Sequence, residues 1–148
     1  MRVEPHLLFD GRCREAFQIY AATLGGKLVA ALTYGDTPMS AQTPAEWRDK
    51  IAHARLDIGA GLILGADAPP GRYQAPVGSS LVIEVDTQAE AERIFSALAD
   101  KGTIEMPLQE TFWSHGFGTC TDRFGISWMI NHAKPLELAA SATQERAR

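Results

Sequence analysis

The chain has 148 residues, 45% of them hydrophobic and 22% charged. That composition excludes wholesale disorder and suits one globular domain. The longest apolar run, such as Leu28–Leu32, falls far short of the ~20 residues that span a bilayer. A formal net charge of −4 argues against a nucleic-acid partner, which usually meets a basic patch.

Taken in chain order, Leu7-Leu8-Phe9 ends a first strand that Gly11 breaks. Ala16, Phe17, Tyr20 and Leu24 are spaced as one helical face, which predicts a helix near 12–25 stopped by Gly25-Gly26. Lys27 to Tyr34 reads as a strand, followed by a long loop from Gly35 to Lys50. Within it, Thr43-Pro44-Ala45-Glu46 has the form of a capping box and predicts a short helix bearing Trp47. Ala52 to Ile58 alternates strictly, with Ala54, Leu56 and Ile58 on one face and His53, Arg55 and Asp57 on the other. Gly59-Ala60-Gly61 then turns into a fourth strand, Leu62 to Ala66.

Prolines and glycine between 68 and 77 read as a linker. Beyond it, Leu81 to Val85 is a strand, Thr87 with Glu90 a second capping box, and 88–101 a helix facing inward through Ala91, Ile94, Phe95 and Leu98. Strands near Thr103–Leu108, Phe117–Thr121 and Ile126–Asn131 follow, the last two joined by Asp122-Arg123-Phe124-Gly125. From Ala133 to 148 the chain reads as a frayed tail.

The order of elements occurs twice. A shift of 75 positions lays Glu15-Ala16-Phe17-Gln18-Ile19-Tyr20 on Glu90-Ala91-Glu92-Arg93-Ile94-Phe95. Solenoid units run only ~20–50 residues, so the chain reads as two copies of a βαβββ module, at about 3–67 and 78–132, within a single domain spanning 1–148.

This α+β arrangement resembles the vicinal-oxygen-chelate superfamily, which includes glyoxalase I, the bleomycin-resistance proteins and the extradiol dioxygenases. Local motifs narrow the resemblance to its PhnB-like branch: Pro5-His6-Leu7-Leu8-Phe9, Tyr34-Gly35-Asp36, Ile51-Ala52-His53-Ala54, Ala66-Asp67-Ala68-Pro69-Pro70-Gly71, and Met106 to Trp113 leading through Gly116-Phe117-Gly118 to Thr121–Asn131. The resemblance implies a glyoxalase-like fold, with two curled mixed sheets around a cleft, helices on the outer face, and usually a dimer. It supplies no reaction. Members of the branch often carry a name borrowed from a ubiquinone-pathway methyltransferase, yet no glycine-rich nucleotide loop stands here to hold a methyl donor.

The superfamily's enzymes usually hold a divalent metal at four strand positions, two per module. Helix and turn anchors put those positions on Pro5, Gly65, Ser80 and Met129, none of them a good hard-metal ligand. A slip of one in the first strand substitutes His6; slips elsewhere give Leu64, Leu81 or Trp128. No metal or other cofactor is therefore expected.

If Leu56, Leu81, Ile83, Ile126, Trp128 and Ile130 face the helices, the opposite parity lines the cleft. That set holds His53, Arg55, Ser80, Val82, Glu84, Ser127 and Met129, with Gln109, Phe112, Trp113 and His115 near its mouth. His53 and Glu84 are the acid–base candidates, and Arg55 suits an anionic ligand. The plainer reading is structural: half-buried strands often carry such residues, and a His53–Glu84 or Arg55–Glu84 pair would then serve packing alone. Phe112 and Trp113 read equally as packing and as ligand contacts. Tyr34, Trp47 and Tyr73 lie where a lid could form. Asp67 and Asp86 read as turn caps, His132 as an exposed residue, and Cys13 and Cys120 as reduced packing thiols without a CxxC or disulfide framework.

Three functions compete: a protein binding a small organic ligand without metal, a lyase, isomerase or dioxygenase using a divalent metal, and a structural or regulatory dimer with a filled cleft. The first leads, with a homodimer expected. The chain start lacks the pattern of a signal peptide, so the expected location is the cytoplasm.

Overall fold

The computed structural model describes residues 1–135. Contacts divide the chain into two compact units, Met1–Ala75 and Pro76–Arg148. In the first, the order is β1 (His6–Phe9), α1 (Cys13–Leu24), β2 (Lys27–Thr33), three single 3-10 turns, β3 (Ile51–Asp57) and β4 (Leu62–Asp67). The sheet runs β1-β4-β3-β2, with β1 parallel to β4 and the other pairs antiparallel.

Helix α1 forms because Cys13, Ala16, Phe17, Tyr20 and Thr23 recur at helical spacing and are all buried. It ends where Gly25 adopts a left-handed conformation that residues with a Cβ rarely take. Phe17 packs edge-on against Phe9 of β1, their centroids 5.9 Å apart, and Tyr20 lies 6.1 Å from Phe17. Each such ring, fully buried, stabilises the fold by roughly 1.5–3 kcal/mol. The helix sits so close to the sheet that a Cβ at Gly65 would lie 2.6 Å from Phe17 Cζ. Gly65 therefore belongs to the helix side of β4, and Leu64 to the opposite side.

The second unit repeats the plan: β5 (Leu81–Glu84), α2 (Gln88–Ala99), β6 (Thr103–Gln109), β7 (Ser114–Thr121) and β8 (Ser127–Ala133), in the order β5-β8-β7-β6. Thr87 caps α2, its hydroxyl accepting the Glu90 N–H at 3.1 Å. Ala91, Ile94, Phe95 and Leu98 form the buried stripe, set against Trp128 and Ile130 of β8, which are also buried. Two mixed four-stranded sheets, each with one helix, make this the expected α+β fold of tandem modules.

Local details differ from the sequence reading. The turn bearing Trp47 is a single 3-10 turn, Ala45–Trp47, whose capping residue is Pro44, with no side-chain cap. Thr43 instead donates its hydroxyl to the Met39 carbonyl at 2.9 Å, so the Thr43–Glu46 box does not form. The reciprocal box lies earlier, where Thr33 and Asp36 exchange hydrogen bonds of 3.0 and 3.2 Å. Strand β7 begins at Ser114 rather than Phe117, with a register shift between Ser114 and Gly116 inside it. The expected tail also starts later. Ala133 is still in β8, and Lys134 donates its N–H to the Trp113 carbonyl and its ammonium to Glu110 and Thr111. The rest of the expected tail, 136–148, lies outside the described residues.

Candidate functional site

In each unit the helix covers one sheet face, and the other is left to half-buried and exposed side chains. On β8, Trp128 and Ile130 point to the helix, so Ser127, Met129 and Asn131 share the opposite face. The strand register arranges that face in rows. Val82, Met129, Thr119 and Met106 pair across the four strands, and Glu84, Asn131, Phe117 and Gln109 form the next row. At one end of the face the hydroxyls of Ser80 and Ser127 lie 2.6 Å apart.

The second row carries the most chemistry. Asn131 Nδ2 donates to both oxygens of Glu84, at 3.1 and 2.9 Å. Glu84 thus finds its partner within its own unit, two residues on from Met129 along the neighbouring strand. Phe117, beside Asn131, stacks edge-on with Trp113 at 5.5 Å, and Trp113 with Phe112 at 4.7 Å. Phe112 and Trp113 sit in a tight turn closed by a 3.0 Å bond from the Thr111 N–H to the Ser114 carbonyl. Both rings keep more than a third of their surface exposed, 40% and 37%. Asn131 Oδ1 is shielded from solvent and has no hydrogen-bond partner.

On the first unit's open face, His6, Leu64, Arg55 and Ala30 form one row, and His53 is the next open-face residue of β3. His6 and Leu8 are exposed on this face while Phe9 is buried under α1. The sequence reading reached His6 only by a one-residue slip, because nothing local distinguishes Pro5 from His6 as the face position.

The remaining candidates fall to packing. Asp67 is buried, its carboxylate accepting N–H bonds from Gly11 (3.0 Å), Cys13 (2.9 Å) and Ile51 (2.8 Å). Its carbonyl accepts the Tyr34 hydroxyl at 2.7 Å, which anchors a residue read as part of a lid. Burial, and then the Asp67 charge, hold the Tyr34 hydroxyl above its usual range. Burial foremost also pushes the Cys13 thiol up to about 12 and Cys120 up to about 11, so neither is a reactive thiolate. Asp122 plays the Asp67 part in the second unit: it accepts N–H bonds from Phe124 and Ile126 and the Trp128 indole N–H at 2.8 Å. Asp86 is exposed after β5. His132, expected to be exposed, is half-buried within β8, and its ring lies tilted against that of His115 with centroids 4.9 Å apart, because the β7–β8 pairing brings them together.

These tandem modules have close counterparts. Residues 1–131 match the family described as 3-demethylubiquinone-9 3-methyltransferase. The chain belongs to this family, the PhnB-like branch of the vicinal-oxygen-chelate superfamily. It is 42% identical to Protein YjdN of Escherichia coli (strain K12) over 142 residues, covering 90% of this chain and 97% of the relative. The crystal structure of protein PA1353 from Pseudomonas aeruginosa superposes with a TM-score of 0.83 at 46% identity, covering 91% of this chain and 99% of that one. A PhnB protein from Bacillus cereus, described as a putative 3-demethylubiquinone-9 3-methyltransferase, gives a TM-score of 0.77 at 23% identity, covering 90% of this chain and 100% of that one, and shares the fold.

The superfamily's metal can be tested against the PhnB-like chain's own donors. The four ligand positions read from the sequence were Pro5, Gly65, Ser80 and Met129. The open-face residues of β1 and β4 are instead His6 and Leu64, since Gly65 faces Phe17. Leu64 offers no donor and the Met129 thioether is a poor partner for a hard cation, so this set does not fit the metal. Among the described residues no group of three or more His, Cys, Asp or Glu side chains could hold one.

Proposed function

We propose that the protein binds a small organic ligand on the open face of the second unit, and does so without a divalent metal. The observation that carries this reading is the exposed Phe112–Trp113 stack on Phe117, next to the Glu84–Asn131 pair. Large aromatic rings left partly wet beside polar groups are the usual makings of a small-molecule site: apolar surface for contact area and a few polar groups for orientation. Met129, Val82 and Met106 supply an apolar floor, and Gln109, Ser80 and Ser127 add polar groups at its margins. In this reading Glu84 orients ligand rather than exchanging protons with it.

A methyltransferase activity gains no support from the site. The turn from β1 into α1 holds a single glycine, Gly11, and the sheets are mixed rather than the parallel kind that carries nucleotide loops.

Association and location belong to the same reading. The outer strands β2 and β6 carry Val29 and Ile104, both about half exposed. A second copy covering such an edge would give a homodimer. Free, buried Cys13 and Cys120 suit the reducing cytoplasm.

The experiment is a thermal-shift screen of small acids, aromatics and thiol conjugates on the purified protein, with and without EDTA. Stabilisation that survives EDTA is expected. Stabilisation that EDTA abolishes would replace this reading with metal-dependent chemistry.

A further inference from the structure

The open face of the first unit carries three nitrogen-bearing side chains and little to pair with them. Arg55 of β3 stands level with Leu64 and Ala30, and His6 lies beyond Leu64 on β1. Adjacent strands are about 4.8 Å apart, so His6 and Arg55 start on the order of 10 Å from each other. His53 lies two residues along β3, about 7 Å away on the same face. Among the described residues none of these three side chains makes a hydrogen bond or ion pair, and Arg55 Nε is shielded from solvent without a partner.

An unpaired, desolvated guanidinium N–H is costly, and a folded protein rarely keeps one without a use. The carboxylates near this face are engaged elsewhere. Asp57 accepts the Gly59 N–H at 2.8 Å and closes the β3–β4 turn, and Glu4 pairs with Arg2 at 3.5 Å. The walls are Leu8, Leu32 and Leu64, apolar and partly exposed. Nε itself is too shielded to meet a ligand, so the missing partner is an oxyanion reached by the two Nη groups at the tip of the guanidinium.

We propose that the first unit's open face is an oxyanion subsite, in which Arg55 grips the acidic group of a small organic anion and His53 and His6 present further N–H donors. The apolar walls take the body of the ligand. This goes beyond the reading of the second unit, because it assigns a charge to the ligand and a separate set of residues to recognise it.

The test is calorimetric titration of the full chain with benzoate, phenylphosphonate, inorganic phosphate and neutral benzamide. Benzoate and phenylphosphonate are expected to bind about tenfold or more tightly than benzamide. If inorganic phosphate matches phenylphosphonate, the walls contribute nothing and the subsite takes the free ion rather than an organic anion. R55Q should lower affinity for the anions about 10–100-fold and leave benzamide unchanged, and R55K should recover only part of the loss, because an ammonium has no fork. Melting of the ligand-free variants supplies a second measurement. R55L should melt at a higher temperature than the parent, since it removes an unpaired buried donor. Anion binding that survives R55Q, benzamide binding as tightly as benzoate, no anion binding at millimolar concentration, or a lower melting temperature for R55L would each overturn the proposal. The W113A variant separates the two sites: it weakens aromatic contact on the second unit while leaving the Arg55 dependence of anion binding in place.

Discussion

Ile51 donates its main-chain N–H to Asp67 Oδ2 at 2.8 Å, and this bond ties the start of β3 to the end of β4. The other carboxylate oxygen holds Gly11 and Cys13, so one buried side chain gathers three segments of the first unit. Replacing Asp67 with Ala would leave three N–H groups without an acceptor. The expected loss is about 3–5 kcal/mol, read as a lower midpoint in urea unfolding. An Asn should rescue only part, because its amide turns one acceptor into a donor that faces an N–H.

Trp113→Ala should weaken binding of an aromatic ligand by about 1–3 kcal/mol, the range for losing a well-placed aromatic contact. Titration of the variant with the best compound from the thermal-shift screen checks this. Met129→Leu should leave any metal content unchanged, as measured by elemental analysis, because a thioether at that position ligates nothing.

The buried thiols predict a pH dependence of stability. Burial raises Cys13 from 9.0 to about 12 and Cys120 from 9.0 to about 11, so the folded state holds both protons more tightly than the unfolded chain. Their contribution is fully present below pH 9 and is lost as the pH rises towards 11 and 12. Urea midpoints should fall across that window, and less steeply in the C13A variant. At pH 8 neither thiol should react with a disulfide reagent until denaturant is added.

Thr87→Ala removes the hydroxyl that accepts the Glu90 N–H and should cost about 1 kcal/mol. Because Thr87 is exposed, no cavity confuses the measurement, and glycine should be milder than alanine.

Light scattering should give twice the chain mass at micromolar concentrations. Charge placed on β2, as in V29K, should shift the mass towards the monomer, since this side chain is about half exposed in the single chain. A monomeric parent protein would remove the homodimer from the reading.

The sequence by itself determined the main elements, their duplicated order and the two sides of β3 and β8. Periodicity is local: Ala16, Phe17 and Tyr20 need only helical spacing to share a face, and Leu56 and Arg55 need only alternation to oppose each other. For the same reason the parity of Ser127 and Met129 against Trp128 and Ile130 was legible without any coordinates. Which residues meet across strands was a matter for the tertiary structure. Glu84 and Asn131 are 47 positions apart, and Asp67 reaches back 54 and 56 positions to Cys13 and Gly11. No local pattern sets such distances, because register depends on loop lengths and on how each helix seats on its sheet. The close seat of Phe17 over Gly65 put Leu64 and His6 on the open face, and the β7–β8 pairing set Phe117 beside Asn131. The faces of β3 and β8 were encoded locally, and partners were chosen by packing.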